Sequence, residues 1–572
     1  MKLLPDKRIT VGDAALDFAA AFALFALVTI VLFAPALPHL SRELLGPPED
    51  NFVDLWNVWY VTVAADTRHF FETNLLGFPE GQSLIMNAFA WPQIAVIAVL
   101  TKFAGTDHAT LVLLQNIFRL LSFPMAGALA FLLVHRLTGN RVGGLVGAFV
   151  YAFSPWHVGQ ALHHANVSEI GYIALFVFAY LEALESRSKA WLLVAILAWV
   201  LASLSMFYFL FYIAFFVMFH ASFVWVHDRQ PPQGWNITLP LITTSATLVL
   251  LLPLLVPMLL ASTAKGAYLG GWNTFVVDLS AFFVPPPTHF LGAWTQSYFD
   301  KFINFPWEGA AYIGIANFTL LAALFFYRRN KKDVLIRYVL CGTTLFAVLS
   351  LGLQLHIGGY NTLLPMPDVL LWKTPVLANL RAPSRFFVMV SLFLAIGMGY
   401  AVSVIMRKFE RRQAQFLSVF AIALIVIDFW PARIPMSDAV CPADFAIVRD
   451  DPEQGFGVLT VPFNYAAADW AMFGQTCHGR PIVQFNLSRV LRPSLVTRLE
   501  QHDMARQKQQ LLQARVKYII LIPQRPGTIL RDPVDARSAP YFATYRVLAR
   551  QPMFAILEVY RGAAPSLVRP GT

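Results

Sequence analysis

"DAALDFAAAFALFALVTIVLFAPA", residues 13–36, is 24 residues long and carries no basic side chain. At 1.5 Å rise per residue, a helix of this length crosses a hydrocarbon layer of about 30 Å. A secretory signal has a shorter apolar region followed by a small-residue cleavage site, so this segment reads as the first retained span. Directly behind it comes "PPEDNFVDLWNVWYV", residues 47–61, where Glu49, Asp50 and Asp54 stand among aromatic residues at the point of emergence from lipid. Runs of the first kind recur as far as Trp430. The whole chain of 572 residues is 57% hydrophobic and only 13% charged, about half the charged share of a soluble domain. The fold class is therefore an α-helical polytopic membrane protein.

A formal net charge of +10 would suggest nucleic acid in a soluble protein. Here most of the surplus sits in short loops between spans, as the positive-inside bias requires, and no nucleic-acid partner is expected. The basic groups are Lys2, Lys7 and Arg8; Arg136 and Arg141; Arg187 and Lys189; Arg229; Arg328, Arg329, Lys331 and Lys332; and Arg407, Lys408, Arg411 and Arg412. With all of them cytoplasmic, about eleven spans fit. They lie near 13–36, 109–135, 142–156, 166–185, 190–206, 207–227, 237–260, 309–327, 333–352, 384–406 and 415–431. The short apolar run 88–105 opens on Trp-Pro and reads as a re-entrant or interfacial segment, because counting it as a span would turn Arg136 and Arg141 outward. The N-terminus is then cytoplasmic, and loops 37–108, 157–165, 261–308 and 353–383 share the outer side of an inner (plasma) membrane.

The composition shifts after residue 431, which divides the chain into a membrane domain, 1–431, and an extracytoplasmic α/β domain, 432–572. The latter carries strand-like runs "FGVLTVPF", "VKYIILIP" and "FAILEVYR" and a polar helical stretch near "LEQHDMARQKQQLLQARV". Cys441 and Cys477 both fall in this tail. A disulfide between them and a reduced pair are both open, and the absence of a CxxC pair disfavours a thiolate metal site.

From Phe52 onward, apolar positions recur at helical spacing, giving an amphipathic helix whose Trp and Tyr side chains suit the headgroup layer. Asp50, Asp54 and Asn57 share one face near its start. An N-cap role for these acids is the plain alternative to a chemical one. Further along, "LRAPSRFF" places Arg381 and Arg385 at the outer start of the tenth span, where both the inward bias of positive charge and the helix N-terminus disfavour them. An anion should sit nearby. A carrier phosphate fits the arginine fork, while lipid headgroups or an ion pair with a loop acid are the alternatives. Lys265 in the long outer loop is a further phosphate candidate. "SPWHVGQALHHAN" puts His157, His163 and His164 in one outer loop. Their spacing is poor for a common metal site, so they read as polar lining or sugar-binding groups, with a divalent metal possible but no cofactor required. Glu308, just before "GAAYIGI", reads as a structural residue, with a place in the lining of the site, orienting an arginine or the acceptor, as the alternative.

The stretch 46–92, with its acid, its aromatic helix and the turn "FPEG" before "AFAWP", resembles the first outer loop of the GT-C superfamily of membrane glycosyltransferases. "AFSPWHVGQALHHANVSEI", "DLSAFFVPPPTHFLG", "EGAAYIGI", "NLRAPSRFF" and "FGQTCHGRPIVQFNLSR" are similar to phrases of its large bacterial members. The resemblance implies an Asp in this loop as general base and a sugar leaving a polyprenyl phosphate carrier. By position that Asp is Asp50, with Asp54 beside it; where the family often shows Gly-Asp, this chain reads Glu49-Asp50. A carboxylate held toward lipid is expected to have a raised pKa. The reading is an inverting glycosyltransferase acting on a polyprenyl-phosphate-linked sugar and an extracytoplasmic glycan, lipid or protein. The rivals are a non-catalytic lipid-binding or assembly protein of the envelope, and a transporter of lipid-linked sugars. Arg119, inside the second span, has no role in any of these readings.

Overall fold

The computed structural model describes residues 4, 10–66, 68–231, 233–263, 271–301, 307–328, 333–374, 376–431, 434–523 and 538–561. Helices α1 (Val11–Leu32), α2 (Pro48–Trp59), α3 (Trp91–Ala104), α4 (His108–Thr138) and α5 (Arg141–Ala152) open the chain. The short α6 (Pro155–His163) and α7 (Ala165–Ser168) lead into α8 (Gly171–Ser186), α9 (Lys189–Ser205), α10 (Phe207–Asp228) and α11 (Trp235–Thr263). After α12 (Gly292–Phe299) come α13 (Ile315–Arg328), α14 (Val334–Ser350), α15 (Asp368–Trp372), α16 (Phe387–Lys408) and α17 (Arg411–Phe429).

All eleven expected segments contain a helix. Among the described residues, seven helical stretches are long and apolar enough to cross a membrane: α1, α4, α7 with α8, α10, α11, α16 with the turn before it, and α17. Helices α5, α9, α13 and α14 are apolar but shorter. The protein is a multi-pass membrane protein. The run 88–105 forms α3, whose 14 residues reach about 21 Å, too short to cross, and it packs against α2, α4 and α9. The expected span at 309–327 starts later: "EGAAYIG" is not helical and α13 begins at Ile315, which leaves Glu308 in irregular chain.

Local chemistry sets the helix ends. Thr10 and Asp13 form a reciprocal capping box at α1, and Asp107, Asn140 and Ser154 cap α4, α5 and α6 with their side chains. Helix α16 is buried along most of its length, and α5 lies directly on it. The approach depends on Gly143 and Gly147: a Cβ at either would lie 2.4 Å from the carbonyl oxygen of Gly399 or Ala395. Small residues four apart let two backbones meet where lipid offers no hydrophobic gain for helix association.

Polar contacts divide the bundle into two ends. At one, Arg141 meets Asp17 at 3.2 Å, Arg136 pairs with Glu182 and Arg407 donates to the Thr138 carbonyl. At the other lie the chain between α1 and α3, α6 and α7, residues 278–301 and 307–314, and the described residues of the tail. Strand Glu43–Leu45 pairs antiparallel with Met436–Asp438, so loop and tail are joined by backbone hydrogen bonds.

The tail contains α18 (Ala446–Arg449), α19 (Tyr465–His478), α20 (Met504–Gln513) and a four-stranded sheet. In that sheet Gly457–Val461 runs parallel to Val516–Leu521, and Ala555–Glu558 pairs antiparallel with Val516–Leu521 and with Arg546–Arg550. The three strand-like runs and the polar helix fall where expected, and α19 and the strand Arg546–Arg550 are additions. Cys441 and Cys477 form a disulfide, with their Cα atoms 5.5 Å apart.

The aromatic face of α2 is not at the headgroup layer. Phe52, Trp56, Trp59 and Tyr60 are buried in one hydrophobic cluster with Phe445, Val458, Phe473 and Ile520 of the tail. Phe52 stacks on Phe473 at 4.5 Å, and the Trp56 indole N–H donates to Gln475 Oε1 at 2.6 Å. A partner that buries the rings and also accepts the indole proton satisfies Trp more fully than an interface does.

Candidate active site

The chain emerging from α1 must bend sharply to begin α2, and Gly46 makes the bend. Its φ is +103°, and a Cβ there would collide with the Leu162 carbonyl. Pro47 and Pro48 then preset the backbone for the first helical turn, which carries Asp50. Asn51 anchors that turn by donating to the Leu162 carbonyl at 2.8 Å. The start of α2 is thereby pressed against the junction of α6 and α7.

His164 sits at that junction in an extended conformation, φ −134° and ψ 106°, which turns its ring away from the neighbouring His163. Its Nδ1 lies 2.9 Å from Asp50 Oδ2, and its Nε2 lies 3.3 Å from Glu308 Oε1. Glu308 in turn accepts from Arg385 Nε at 3.1 Å, from Ser384 Oγ at 3.0 Å and from Gln160 Nε2 at 3.3 Å. Asp50, His164, Glu308 and Arg385 thus form one row of alternating charge that joins the start of α2 to the turn Pro383–Phe386.

A second pair lies beside the row. Asp54 Oδ2 accepts from Arg119 Nη2 at 3.1 Å and from the Ala165 backbone N–H at 2.8 Å. Arg119 also donates to the Leu45 carbonyl at 2.9 Å and to the Asn51 side chain. This buried arginine ties the chain before and within α2 to α6–α7 and supplies the counter-charge to Asp54.

The surroundings separate the carboxyls. Around Asp50 the protein pushes the carboxyl up, but the hydrogen bond and charge of His164, with the charge of Arg385, outweigh it and hold it below the ordinary carboxylate range. Burial raises Asp54 to about 6, only partly offset by Arg119 and the Ala165 N–H. Burial, then the charge of Asp50, raises Glu49 to about 7. A raised value was expected of the catalytic candidate, and it holds for Asp54, not for Asp50, because a cation sits against Asp50. Burial pushes the His164 imidazole down, but its bonds with Asp50 and Glu308 lift it to about 9, so it is an imidazolium at neutral pH. Burial of Glu308 is likewise outweighed by Arg385 and His164, which hold it well below the carboxylate range.

The sequence candidates divide accordingly. Asp50, His164, Glu308 and Arg385 meet, with Asp54 adjacent. His157 is buried with both ring nitrogens against the backbone carbonyls of Ala152 and Ser168. His163 stacks on Trp307 at 4.0 Å and bonds the Gly159 carbonyl at 2.7 Å. Asn57 is buried and accepts from Asn87 at 2.7 Å. None of these three joins the row. Arg381 lies half-buried four residues before Arg385. Lys265 lies outside the described residues.

Both nitrogens of His164 are engaged by carboxylates, so in this arrangement the imidazolium has no lone pair for a metal ion. Among the described residues, His108, Cys441 and Cys477 have metal-like proximity, but the two sulfurs are bonded to each other.

Two roles escaped the sequence reading. Arg119 carried a signal, a charge within an apolar span, without a visible partner. Asp469 on α19 carried none: it accepts from Asn486 at 2.8 Å, and its carboxyl is raised to about 7 by burial and by the charges of Asp50 and Glu49. The tail therefore reaches the edge of the row.

The fold is that of GT-C membrane glycosyltransferases. The Archaeoglobus fulgidus oligosaccharyltransferase in its apo form superposes with a TM-score of 0.56 at 11% identity, covering 88% of this chain and 69% of that one. The same organism's oligosaccharyltransferase AglB, in complex with an inhibitory peptide and a dolichol-phosphate, gives 0.52 at 12% identity over 88% of this chain and 69% of its own. Arabinofuranosyltransferase AftD from Mycobacteria gives 0.56 at 13% identity, covering 98% of this chain and 40% of that longer one. No curated protein matches in sequence. Residues 56–430 match one family profile, and the chain belongs to the family it describes, "Domain of unknown function (DUF6311)".

Proposed function

We propose that the protein is an inverting glycosyltransferase that moves a sugar from a polyprenyl-phosphate donor to an extracytoplasmic glycan, lipid or protein. The observation that carries this reading is the continuous row Asp50–His164–Glu308–Arg385, which sets a carboxylate and a guanidinium at its opposite ends. Transfer from a phosphate carrier needs a base for the acceptor at one end and a cation for the leaving phosphate at the other. A dolichol-phosphate in a fold neighbour supports a lipid-linked donor.

Asp50 is the better base of the two acids. Its side chain is 45% exposed, whereas Asp54 is 13% exposed and spanned by Arg119 and the Ala165 N–H. The acceptor hydroxyl gives its proton to Asp50 as its oxygen attacks the anomeric carbon from the side opposite the phosphate. The bond from anomeric carbon to phosphate oxygen breaks, and the electron pair leaves with the prenyl phosphate. Arg385, oriented by Glu308, and Arg381 offset the charge that develops there, helped by the start of the helix behind them. His164 fixes the orientation of Asp50 and keeps it ionised. The domain after residue 431 lies against the Asp50 end of the row through α19 and contacts the acceptor.

An outer location for the row is supported by the Cys441–Cys477 disulfide and by the basic residues at the other end of the bundle. The N-terminus is then cytoplasmic, in an inner membrane.

Purified protein incubated with radiolabelled polyprenyl-phosphate sugars and envelope acceptors tests the reading. Asp50→Asn should lower transfer by about 10²–10⁴-fold, with a smaller loss in Asp54→Asn. Transfer unchanged in both variants would remove the base. Binding of the donor with no transfer by wild type would favour the lipid-binding or transport readings instead.

A further inference from the structure

The turn between α16 and α17 lies at the end of the bundle remote from the row. It reads "RKFERR", residues 407–412, four basic side chains and one acid in six positions. Arg407 donates to the Thr138 carbonyl. Lys408 lays its ammonium over the rings of Tyr327 and Phe409, at 4.2 and 5.3 Å. Among the described residues, no carboxylate pairs with Lys408, Arg411 or Arg412.

A cavity of about 420 Å³ opens beside this turn, lined by Phe409, Arg412, Gln413, Phe416 and Leu417. Its wall thus combines one cation, one amide and three apolar side chains. Arg412, Phe416, Phe420 and Ile427 share one face of α17, because at 100° per residue each falls within about 80° of the first. Phe416 and Phe420 stack at 6.4 Å and are 70% and 54% exposed, and Ile427 is exposed as well. An uncovered apolar stripe therefore starts in the cavity and runs about 16 Å along a helix long enough to cross the membrane.

A span facing lipid needs apolar residues, and the inward bias of positive charge sets cations at its end. Neither requires a cavity with a guanidinium in its wall. That combination complements a molecule with an anionic head and an apolar tail. A lipid phosphate fits, because arginine presents a fork of donors to its oxygens and cations near a membrane surface draw anionic headgroups. A zwitterionic headgroup carries its own ammonium, which offsets much of that attraction.

We propose that the α16–α17 turn binds an anionic glycerophospholipid of the leaflet opposite the row, with its phosphate on Arg412 and an acyl chain along Phe416 and Phe420. Lys408 and Arg411 add positive charge at the headgroup, and Gln413 offers an amide to its glycerol hydroxyls. The site is independent of the donor reading, since the row and this cavity lie at opposite ends of the bundle.

The full-length protein, stripped of lipid in detergent, is titrated with phosphatidylglycerol, with phosphatidylcholine of the same acyl chains and with inorganic phosphate, and bound ligand is counted by native mass spectrometry. Wild type should hold phosphatidylglycerol about tenfold or more tighter than phosphatidylcholine, from about fivefold for each cation near the headgroup, and far more tightly than inorganic phosphate. Arg412→Gln should lower phosphatidylglycerol affinity about fivefold and leave phosphatidylcholine unchanged. Phe416→Ser, at an exposed position, should weaken both lipids several-fold. Lys189→Gln removes an exposed cation at the same end of the bundle and should change neither. Equal affinity for the two lipids in wild type, full retention of the preference in Arg412→Gln, or the same loss in Lys189→Gln overturns the site. Inorganic phosphate held as tightly as phosphatidylglycerol, or a Phe416→Ser variant that binds as wild type does, overturns the lipid as its occupant.

Discussion

At the residue scale, His164 decides how the row behaves. Two carboxylates that share one imidazole stabilise its charged form, and linkage turns that into a pH dependence. Its value rises from 6.5 to about 9, so its contribution to stability is complete below 6.5 and is lost as pH rises through about 9. Thermal unfolding in detergent from neutral pH to pH of about 10 should show wild type losing stability across that window, while His164→Asn changes far less. Transfer activity should fall along the same alkaline limb. Parallel melting profiles for the two proteins would mean that the imidazole is not the titrating bridge. The sequence exposed the three histidines of this loop but could not rank them. Ring direction depends on the extended backbone at His164, and that conformation exists only because α6 ends there against α2.

At the element scale, the contact between α2 and α19 sets the position of Asp50. The periodicity of α2 was legible, and so was the identity of its acids. What covers its aromatic face was not, because Phe473 and Gln475 lie more than 400 residues later, in a helix that local periodicity does not tie to α2. Replacing Trp56 by Phe keeps most of the ring volume and removes the indole N–H, leaving Gln475 Oε1 unsatisfied in a buried site. A loss of about 1–3 kcal/mol in stability is expected, with faster proteolysis of the tail and with the bundle intact. A variant indistinguishable from wild type in both assays would show that this hydrogen bond does not hold loop to tail. The same logic explains the displaced start of α13. "EGAAYIG" is apolar enough to pass for span, yet Ala310, Ala311 and Tyr312 are buried as extended chain, and Glu308 is left free of helix to meet Arg385.

At the scale of the whole molecule, the division of charge between the two ends of the bundle predicts a topology. Single cysteines introduced at Arg187 and Arg412 should react with membrane-impermeant reagents only from the cytoplasmic side, and one at Thr497 in the tail only from outside. Labelling of the Thr497 and Arg412 positions from the same side would overturn the proposed outer location of the row and its donor. The sequence by itself determined the multi-pass class, the approximate place of the apolar helices, three strands and one helix of the tail and the residue types available for chemistry. These follow from hydrophobic length, helix caps and alternation, which are local properties of the chain. Only the tertiary structure decided that Asp50, His164, Glu308 and Arg385 form one row, that Arg119 answers Asp54, and that the tail shares a core with the first outer loop. Each of those pairings joins residues from 65 to more than 400 positions apart. A charge in or near lipid is tolerated only beside its partner, and the partner's identity is set by how the helices pack rather than by either local sequence.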